Sequence, residues 1–99
     1  MKYGLFGSFV AEDGKRDELL AILLGASELL RQNDGCIHYI VSTSDDPTTV
    51  WVYETWEDKE AHDKSLEPVG IKSLIQKAMP LIKSMGVQAE LSVNGGKGI

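Results

Sequence analysis

The apolar residues at the start of the chain follow two different periods. Residues 3–10 form a short aromatic and apolar run that ends at a polar Glu-Asp-Gly sequence, a pattern typical of a β-strand. Between residues 15 and 32 the apolar positions recur every three or four residues, as on an amphipathic helix. We therefore expect a strand and then a helix, with further leucines widening a main stripe of Leu19, Leu23, Ala26 and Leu30.

The middle of the chain predicts a β-hairpin. Residues 36–44 and 48–56 are rich in β-branched and aromatic side chains, and the sequence Asp45-Asp46-Pro47 between them is typical of a turn. Both runs are apolar at successive positions, whereas a strand with one face in water alternates more cleanly between apolar and polar residues. We therefore expect both faces of these strands to be covered.

The pairing register of this hairpin decides which aromatic side chains share a face. A five-residue turn places Ile40 opposite Glu54 and His38 opposite Trp56, whereas a four-residue turn places Tyr39 opposite Glu54. The sequence leaves both registers open. In either register His38 and Tyr39 lie on opposite faces, so only one of them can line a given pocket, and a surface position is the default for His38.

The second half of the chain predicts two helices and a last strand. Asp58 is placed to cap a short helix, and Pro68 suits the first turn of the next one. This next helix is predicted to bend at Pro80 and to end at Gly86, because three- and four-residue spacing relates Ile71, Leu74, Ile75, Ala78, Ile82 and Met85. Residues 87–93 predict a fourth strand. A single domain is expected over residues 1–94, with a flexible tail over 95–99.

The predicted order of elements, β-α-β-β-α-β, is that of an α+β sandwich with a ferredoxin-like arrangement. In this arrangement four antiparallel strands carry their helices on one face. The other face of this sheet is too apolar to meet water, so we expect a second chain to cover it. The pattern therefore predicts a homodimer that forms through the sheet.

Composition narrows the classes of function. The 99 residues suffice for one modest domain, and ten basic against fifteen acidic side chains give a net charge of −5. This acidity disfavours nucleic-acid binding, which needs a basic surface. No stretch has the roughly 20 apolar residues of a membrane span, and residues 1–7 lack the features of a signal peptide, so a cytoplasmic protein without a membrane partner is expected. The single cysteine, Cys36, is expected to be a small buried hydrophobe.

Candidate chemistry is concentrated at the end of the third predicted strand. Glu54 and Trp56 share a face, and His62 follows about one turn into the next helix, on a stripe that points inward. A carboxylate, an indole and an imidazole can therefore converge, and either Glu54 or His62 can serve as a general base toward a phenol or an enol. The alternative interpretation is that both groups only satisfy hydrogen bonds of the core.

The sequence offers no separate site for a cofactor. His38 and His62 lack a third candidate ligand for a metal ion, and no glycine-rich loop joins a strand to a helix as nucleotide sites require. We therefore expect no cofactor.

Two motifs make the chain similar to a known family. Gly35-Cys36-Ile37-His38-Tyr39 before the hairpin turn and Glu54-Thr55-Trp56-Glu57-Asp58-Lys59-Glu60-Ala61 after it resemble the antibiotic biosynthesis monooxygenase family, including its quinol monooxygenase-like members. The similarity extends from the first strand to Val93. It implies a dimeric α+β barrel in which two four-stranded sheets pack face to face. It also implies oxidation of quinols or polyketide phenols by O₂ without metal, flavin or haem.

The chain departs from the family pattern near the candidate base. Many members carry a leucine where this chain has His62 and a histidine where it has Ser65, and a shift of three residues keeps a side chain on a nearby helical face. The same fold occurs in haem-degrading enzymes and in isomerases of small sugars. The Asn-Trp-His set expected for haem degradation is incomplete here, because the first strand has no asparagine.

The sequence thus favours one function and leaves two alternatives. The favoured function is a homodimeric, cofactor-independent monooxygenase that oxidises a small quinol or polyphenol with O₂, with His62 or Glu54 as the catalytic base. Candidate side chains for binding the aromatic substrate are Trp56, Tyr39, His38 and Phe6. The alternatives are a non-oxidative isomerase of a small enol or keto compound and a ligand-binding stress protein on the same fold.

Overall fold

Four antiparallel strands and three α-helices make up the fold, and the computed structural model describes all 99 residues. In chain order the elements are β1 (Lys2–Ala11), α1 (Arg16–Leu30), β2 (Cys36–Thr43), β3 (Thr49–Trp56), α2 (Lys59–Ser65), α3 (Val69–Ala78) and β4 (Ile82–Val93). The strand order in the sheet is β2-β3-β1-β4, and all neighbouring strands are antiparallel. The predicted ferredoxin-like α+β fold is confirmed. None of the helices has the length and apolar character needed to cross a membrane.

The hairpin of β2 and β3 adopts the register expected for the shorter turn, with Tyr39 opposite Glu54. The carboxylate of Asp46 organises this turn, because it accepts hydrogen bonds from the backbone N–H of Thr48 at 2.8 Å and from the hydroxyls of Thr48 and Thr49 at 2.7 and 2.8 Å. These hydrogen bonds lower the pKa of Asp46 below its usual value. The turn therefore places Tyr39, and not His38, on the face of the sheet that carries Glu54.

An irregularity in β2 affects the other end of the hairpin. Cys36 pairs with Trp56 and His38 pairs with Thr55, so Ile37 is an extra residue, as in a β-bulge. As a result Cys36 lies on the same face as Tyr39 despite the odd spacing between them, and it packs against Trp56.

The prediction that the second long helix continues to Gly86 is wrong. Helix α3 ends at Ala78, a short 3₁₀ turn follows over Met79–Leu81, and strand β4 begins at Ile82. Pro80 lies in the 3₁₀ turn, and proline disfavours continuation of a helix because it has no N–H to donate and its ring crowds the preceding turn. The fourth strand is therefore five residues longer at its start than the predicted 87–93.

A bulge in β4 explains why the sequence resembled a helix there. The register pairs Ala11 with Ile82, and two residues earlier on β1 it pairs Phe9 with Met85, so β4 has one extra residue between them. The bulge places Ile82 and Met85 on the same face of the sheet at a spacing of three. In the sequence this spacing cannot be told from the period of a helix.

The core lies between the helices and one face of the sheet. It consists of two buried clusters, one formed by Ala11, Leu19, Val50 and Ala78 and the other by Leu30, Trp56 and Ile71. The predicted stripe of α1 thus faces the sheet. The opposite face of the sheet, called the open face below, is covered by no element of the chain and exposes the large apolar side chains of Phe6, Ile40, Tyr53, Val87 and Leu91.

The close approach of Gly86 to β1 gives a first prediction. The hydroxyl of Ser8 accepts a hydrogen bond from the backbone N–H of Val87 at 2.8 Å, and a Cβ at position 86 would collide with that hydroxyl. We expect Gly86→Ala to lower the free energy of unfolding by about 1–3 kcal/mol, measured by urea denaturation.

Gly25 in α1 provides the matched control for this prediction. A Cβ there would make only ordinary contacts, at 3.7 Å or more, with the side chain of Leu74. Gly25→Ala should therefore stabilise the protein by about 0.5–1 kcal/mol through helix propensity. Equal effects of the two substitutions would contradict the assignment of a steric constraint at Gly86.

Candidate functional site

A largely apolar cavity of about 250 Å³ lies between the helical layer and the sheet. Of the 17 residues that line it, 15 are hydrophobic, and they come from all three helices and all four strands. Glu54 and Ser65 are the two exceptions. The hydroxyl of Ser65 donates to the backbone carbonyl of His62 at 2.5 Å. Glu54 is the one lining side chain that can carry a negative charge near neutral pH.

Glu54 is positioned by its neighbour two residues along β3. The indole N–H of Trp56 donates a hydrogen bond to Glu54 Oε1 at 3.0 Å, and Trp56 itself is buried, with 1% of its surface exposed. Burial raises the pKa of Glu54, whereas the Trp56 hydrogen bond and the nearby His62 oppose that shift. Glu54 is thus a carboxylate of increased basicity with one oxygen fixed in place, which suits proton abstraction from a weak acid.

His62 lies behind Trp56 and is not among the side chains that line the cavity. Its ring packs edge-on against the Trp56 indole with centroids 5.4 Å apart, and it lies 5.7 Å from the ring of Tyr3. Nδ1 is 3.0 Å from a carboxylate oxygen of Asp63, and 18% of the side-chain surface is exposed. His62 and Glu54 therefore both contact Trp56, but of the two only Glu54 lines the cavity.

Tyr39 and Cys36 complete the polar surroundings of Glu54. Tyr39 lines the cavity next to Glu54, its partner on the neighbouring strand. Burial together with the nearby Glu54 carboxylate raises the pKa of the Tyr39 phenol. Burial and the same carboxylate raise the pKa of the Cys36 thiol to about 11, so this cysteine is protonated at neutral pH and is a poor nucleophile.

The structure does not bring all of the predicted site residues together. Glu54, Trp56 and Tyr39 meet at the cavity, whereas Phe6 and His38 lie on the open face of the sheet. Phe6 stacks on Trp51 with ring centroids 5.6 Å apart, and His38 stacks on Tyr53 at 6.4 Å. The sheet therefore separates these two residues from the cavity.

Sequence inspection missed a polar pair that supports the site from β1 and β4. The hydroxyl of Tyr3 donates to Glu90 Oε2 at 2.7 Å, and the Tyr3 ring contacts His62. Burial, followed by the hydrogen bond and charge of Glu90, raises the pKa of Tyr3 to about 12. The alternation of polar residues in β4 was the one available indication, because it set Glu90 on the polar face of that strand. The register with β1 and β3 then places Glu90 on the helical side of the sheet.

No group of three or more His, Cys, Asp or Glu side chains is arranged as metal ligands would be. The arrangement instead offers one base, a hydrogen-bonding phenol and an apolar enclosure, which suits binding and deprotonation of a small aromatic or enolic molecule.

Comparison with known proteins identifies the family. The sequence model of the family described as antibiotic biosynthesis monooxygenase matches residues 3–72. The chain belongs to the antibiotic biosynthesis monooxygenase family. The match contains β1 to α2 and therefore includes Glu54, Trp56 and His62. No curated protein sequence matches the chain.

Solved structures agree with membership of the antibiotic biosynthesis monooxygenase family. A candidate antibiotic biosynthesis monooxygenase from Chloroflexus aurantiacus is 34% identical over 100% of this chain and 99% of its own, with a TM-score of 0.92. Two more distant structures show the same fold. Rv0793 from Mycobacterium tuberculosis is 17% identical over 98% of this chain and 99% of its own, with a TM-score of 0.84. A protein of unknown function from Bacteroides thetaiotaomicron, described as a candidate oxidoreductase, is 14% identical over 91% of this chain and 95% of its own, with a TM-score of 0.80.

The hydrogen bond between Trp56 and Glu54 gives a second prediction. Trp56→Phe removes a donor to the charged form of Glu54, so we expect the pKa of Glu54 to rise further above its usual value. Carboxyl ¹³C NMR titration measures this shift. Trp51→Phe, on the other face of the same strand, is the control and should leave the Glu54 titration unchanged; an equal shift in both variants would contradict the assigned hydrogen bond.

Proposed function

We propose that this protein is a monooxygenase that oxidises a small quinol or polyphenol with O₂ and without a cofactor. The observation that carries the proposal is the single carboxylate, Glu54, on the wall of an otherwise apolar cavity. A phenolic hydroxyl group is the natural partner for such a carboxylate, and the apolar lining suits the ring that bears it. Membership of the antibiotic biosynthesis monooxygenase family supports the same class of reaction.

In the proposed complex the substrate ring lies in the cavity beside Trp56 and Tyr39. Its hydroxyl group donates a hydrogen bond to Glu54. Burial makes a phenol harder to ionise, and the raised pKa of Glu54 makes this carboxylate a better acceptor of the phenolic proton. A cavity of about 150 Å³ lined by apolar side chains holds benzene. The 250 Å³ here therefore accommodates one aromatic ring or two fused rings.

The proposed reaction begins with transfer of the phenolic proton to Glu54. The resulting phenolate transfers one electron to O₂, and the superoxide and the substrate radical combine at a ring C–H carbon to give a peroxide anion. This anion takes the proton back from Glu54 and becomes a hydroperoxide. Loss of water then leaves a carbonyl group at that carbon, so that one oxygen atom enters the product and the other leaves as water. The apolar enclosure protects the radical pair from bulk water.

His62 has a supporting part in this proposal. It packs edge-on against the Trp56 indole, and it lowers the pKa of Glu54 through its charge. We therefore assign proton abstraction to Glu54 and positioning of Trp56 to His62.

We further propose that two copies of the chain associate through the open face of the sheet. Four strands spaced by about 4.8 Å, each with about eight residues rising about 3.3 Å, present roughly 500 Å² in flat projection. Projecting side chains enlarge this area toward the roughly 800 Å² per partner of a standard interface. The apolar side chains on this face would be covered in such a dimer, and the cavity on the other face would stay within each protomer.

The proposal also places the protein in the cytoplasm. Its single cysteine has no partner for an internal disulfide, which is the pattern common in reducing compartments.

Oxygen consumption with a panel of mono- and bicyclic quinols tests the proposed reaction. Glu54→Gln should reduce kcat/KM by about 10²–10⁴-fold, the usual contribution of a general base. This variant removes a buried charge whose pKa is raised, so at neutral pH it should be at least as stable as the wild-type protein. His62→Ala should cause a smaller loss than Glu54→Gln.

The pH dependence provides a second readout of the same prediction. Because Glu54 must be ionised to accept a proton, kcat/KM should fall as the pH decreases through a value above the ordinary glutamate pKa of about 4.3. Unchanged rates in Glu54→Gln, or a larger loss in a folded His62→Ala, would contradict the assignment of the base. Turnover in the absence of oxygen would indicate an isomerase instead.

The dimer is tested by a pair of arginine substitutions at matched apolar positions. Ile40 on the open face is 51% exposed, and Leu24 on α1 is 47% exposed. Ile40→Arg would bury an unpaired charge in the interface, so the dissociation constant should rise by about 100-fold or more in sedimentation equilibrium. Leu24→Arg should leave it unchanged, and equal effects would contradict association through the open face.

A further inference from the structure

His38 lies on the open face, and its Nδ1 is one of two buried polar atoms that have no hydrogen-bond partner within the chain. The register places His38 opposite Thr55, and its ring stacks on Tyr53. Nδ1 of His38 and Oγ1 of Thr55 are both buried without a hydrogen-bond partner, and Thr55 is 0% exposed. Side chains directly opposite each other in a sheet have Cβ atoms about 4.5–5.5 Å apart. The half-buried side chain of His38 and the enclosed side chain of Thr55 are therefore neighbours that form one small polar spot in the largely apolar open face.

No acidic group faces this polar spot from any strand of the sheet. Among the residues that the register places on the open face, Lys2 is the one that is charged, and its ammonium group pairs with Glu57 at 3.2 Å at the end of the face. The other titratable group near His38 on this face is the phenol of Tyr53. On β2, the thiol of Cys36 donates to the His38 carbonyl at 3.6 Å, but its side chain lies on the cavity side of the sheet.

Symmetry extends this argument to the dimer. In a two-fold symmetric dimer each copy contributes the same patch, so the second open face brings no free carboxylate to His38. A neutral imidazole carries no charge and fits such an interface. A protonated imidazole would be buried there without a counter-charge, which is costly.

We propose that protonation of His38 dissociates the dimer, so that the dimer is stable near neutral pH and weakens on acidification. Imidazole side chains ordinarily take up a proton at about pH 6.5. Since the dimer holds two copies of His38 in their neutral form, its dissociation constant should rise by up to about 100-fold for each pH unit below that value. The inference rests on the proposed dimer and adds the condition under which it separates.

Sedimentation equilibrium near pH 7.5 and near pH 5.5 tests the proposal, because the two conditions lie on either side of the ordinary imidazole range. The dissociation constant of the wild-type protein should rise by at least about tenfold at the lower pH. His38→Phe should show less than about threefold change, because its ring does not titrate. His62→Gln removes the other of the chain's two histidines and should keep the wild-type response.

Several outcomes would overturn the proposal. These are an unchanged dissociation constant of the wild-type protein, a full pH response in His38→Phe, or loss of the response in His62→Gln. Near-UV circular dichroism at the lower pH distinguishes dissociation from unfolding, and unfolding of the wild-type protein there would also contradict the proposal. His38→Gln gives the same readout should the phenylalanine variant fail to fold. A wild-type protein that is monomeric at the higher pH contradicts the dimer itself, whereas a dimer that ignores pH contradicts only the part assigned to His38.

Discussion

The hydrogen bond from Trp56 to Glu54 connects the core of this protein to its candidate chemistry. A carboxylate in an apolar cavity loses its hydration, and without a donor its ionised form would be strongly disfavoured. The indole N–H supplies that donor, and the indole itself packs in the core with Leu30 and Ile71 and against the ring of His62. The increased but still usable basicity of Glu54 thus depends on how well one buried side chain is packed.

Strand β3 gives the sheet two different faces with one short sequence. Glu54 and Trp56 point toward the helices and form the cavity, while Tyr53 and Thr55 point toward the open face. This alternation separates the candidate site from the candidate interface by the thickness of the sheet. A side chain substituted on one face makes no direct contact with the other face. The effects of a substitution on the candidate site and on the candidate interface can therefore be measured separately.

Much of the fold could be predicted because its elements have clear periods. The stripe of α1 and the aromatic runs of the strands determine which surfaces must be buried, and the order of elements leaves few ways to do so. The start of β4 could not be predicted, because the bulge between Ile82 and Met85 reproduces a helical spacing within a strand. Such a bulge depends on the pairing with β1, which has no local signature in the sequence.

The candidate site could be predicted in part for similar reasons. Glu54 and Trp56 are two residues apart on one strand, so their common face follows from strand geometry alone. The positions of Phe6 and His38 depend on the register between strands, and the contact of Tyr3 with Glu90 joins residues 87 positions apart. Relations of this kind are decided by the whole sheet and not by any segment of it.

The turn around Asp46 has a consequence for how this family can diversify. Insertions in surface turns are usually tolerated because they change little beyond the loop. Here one added residue that shifted the pairing of β2 would exchange Tyr39 and His38 between the two faces of the sheet. The cavity would gain an imidazole beside Glu54 and the open face would gain a phenol. A change in loop length far from the cavity can therefore alter both the acid–base groups of the candidate site and the polar groups of the open face.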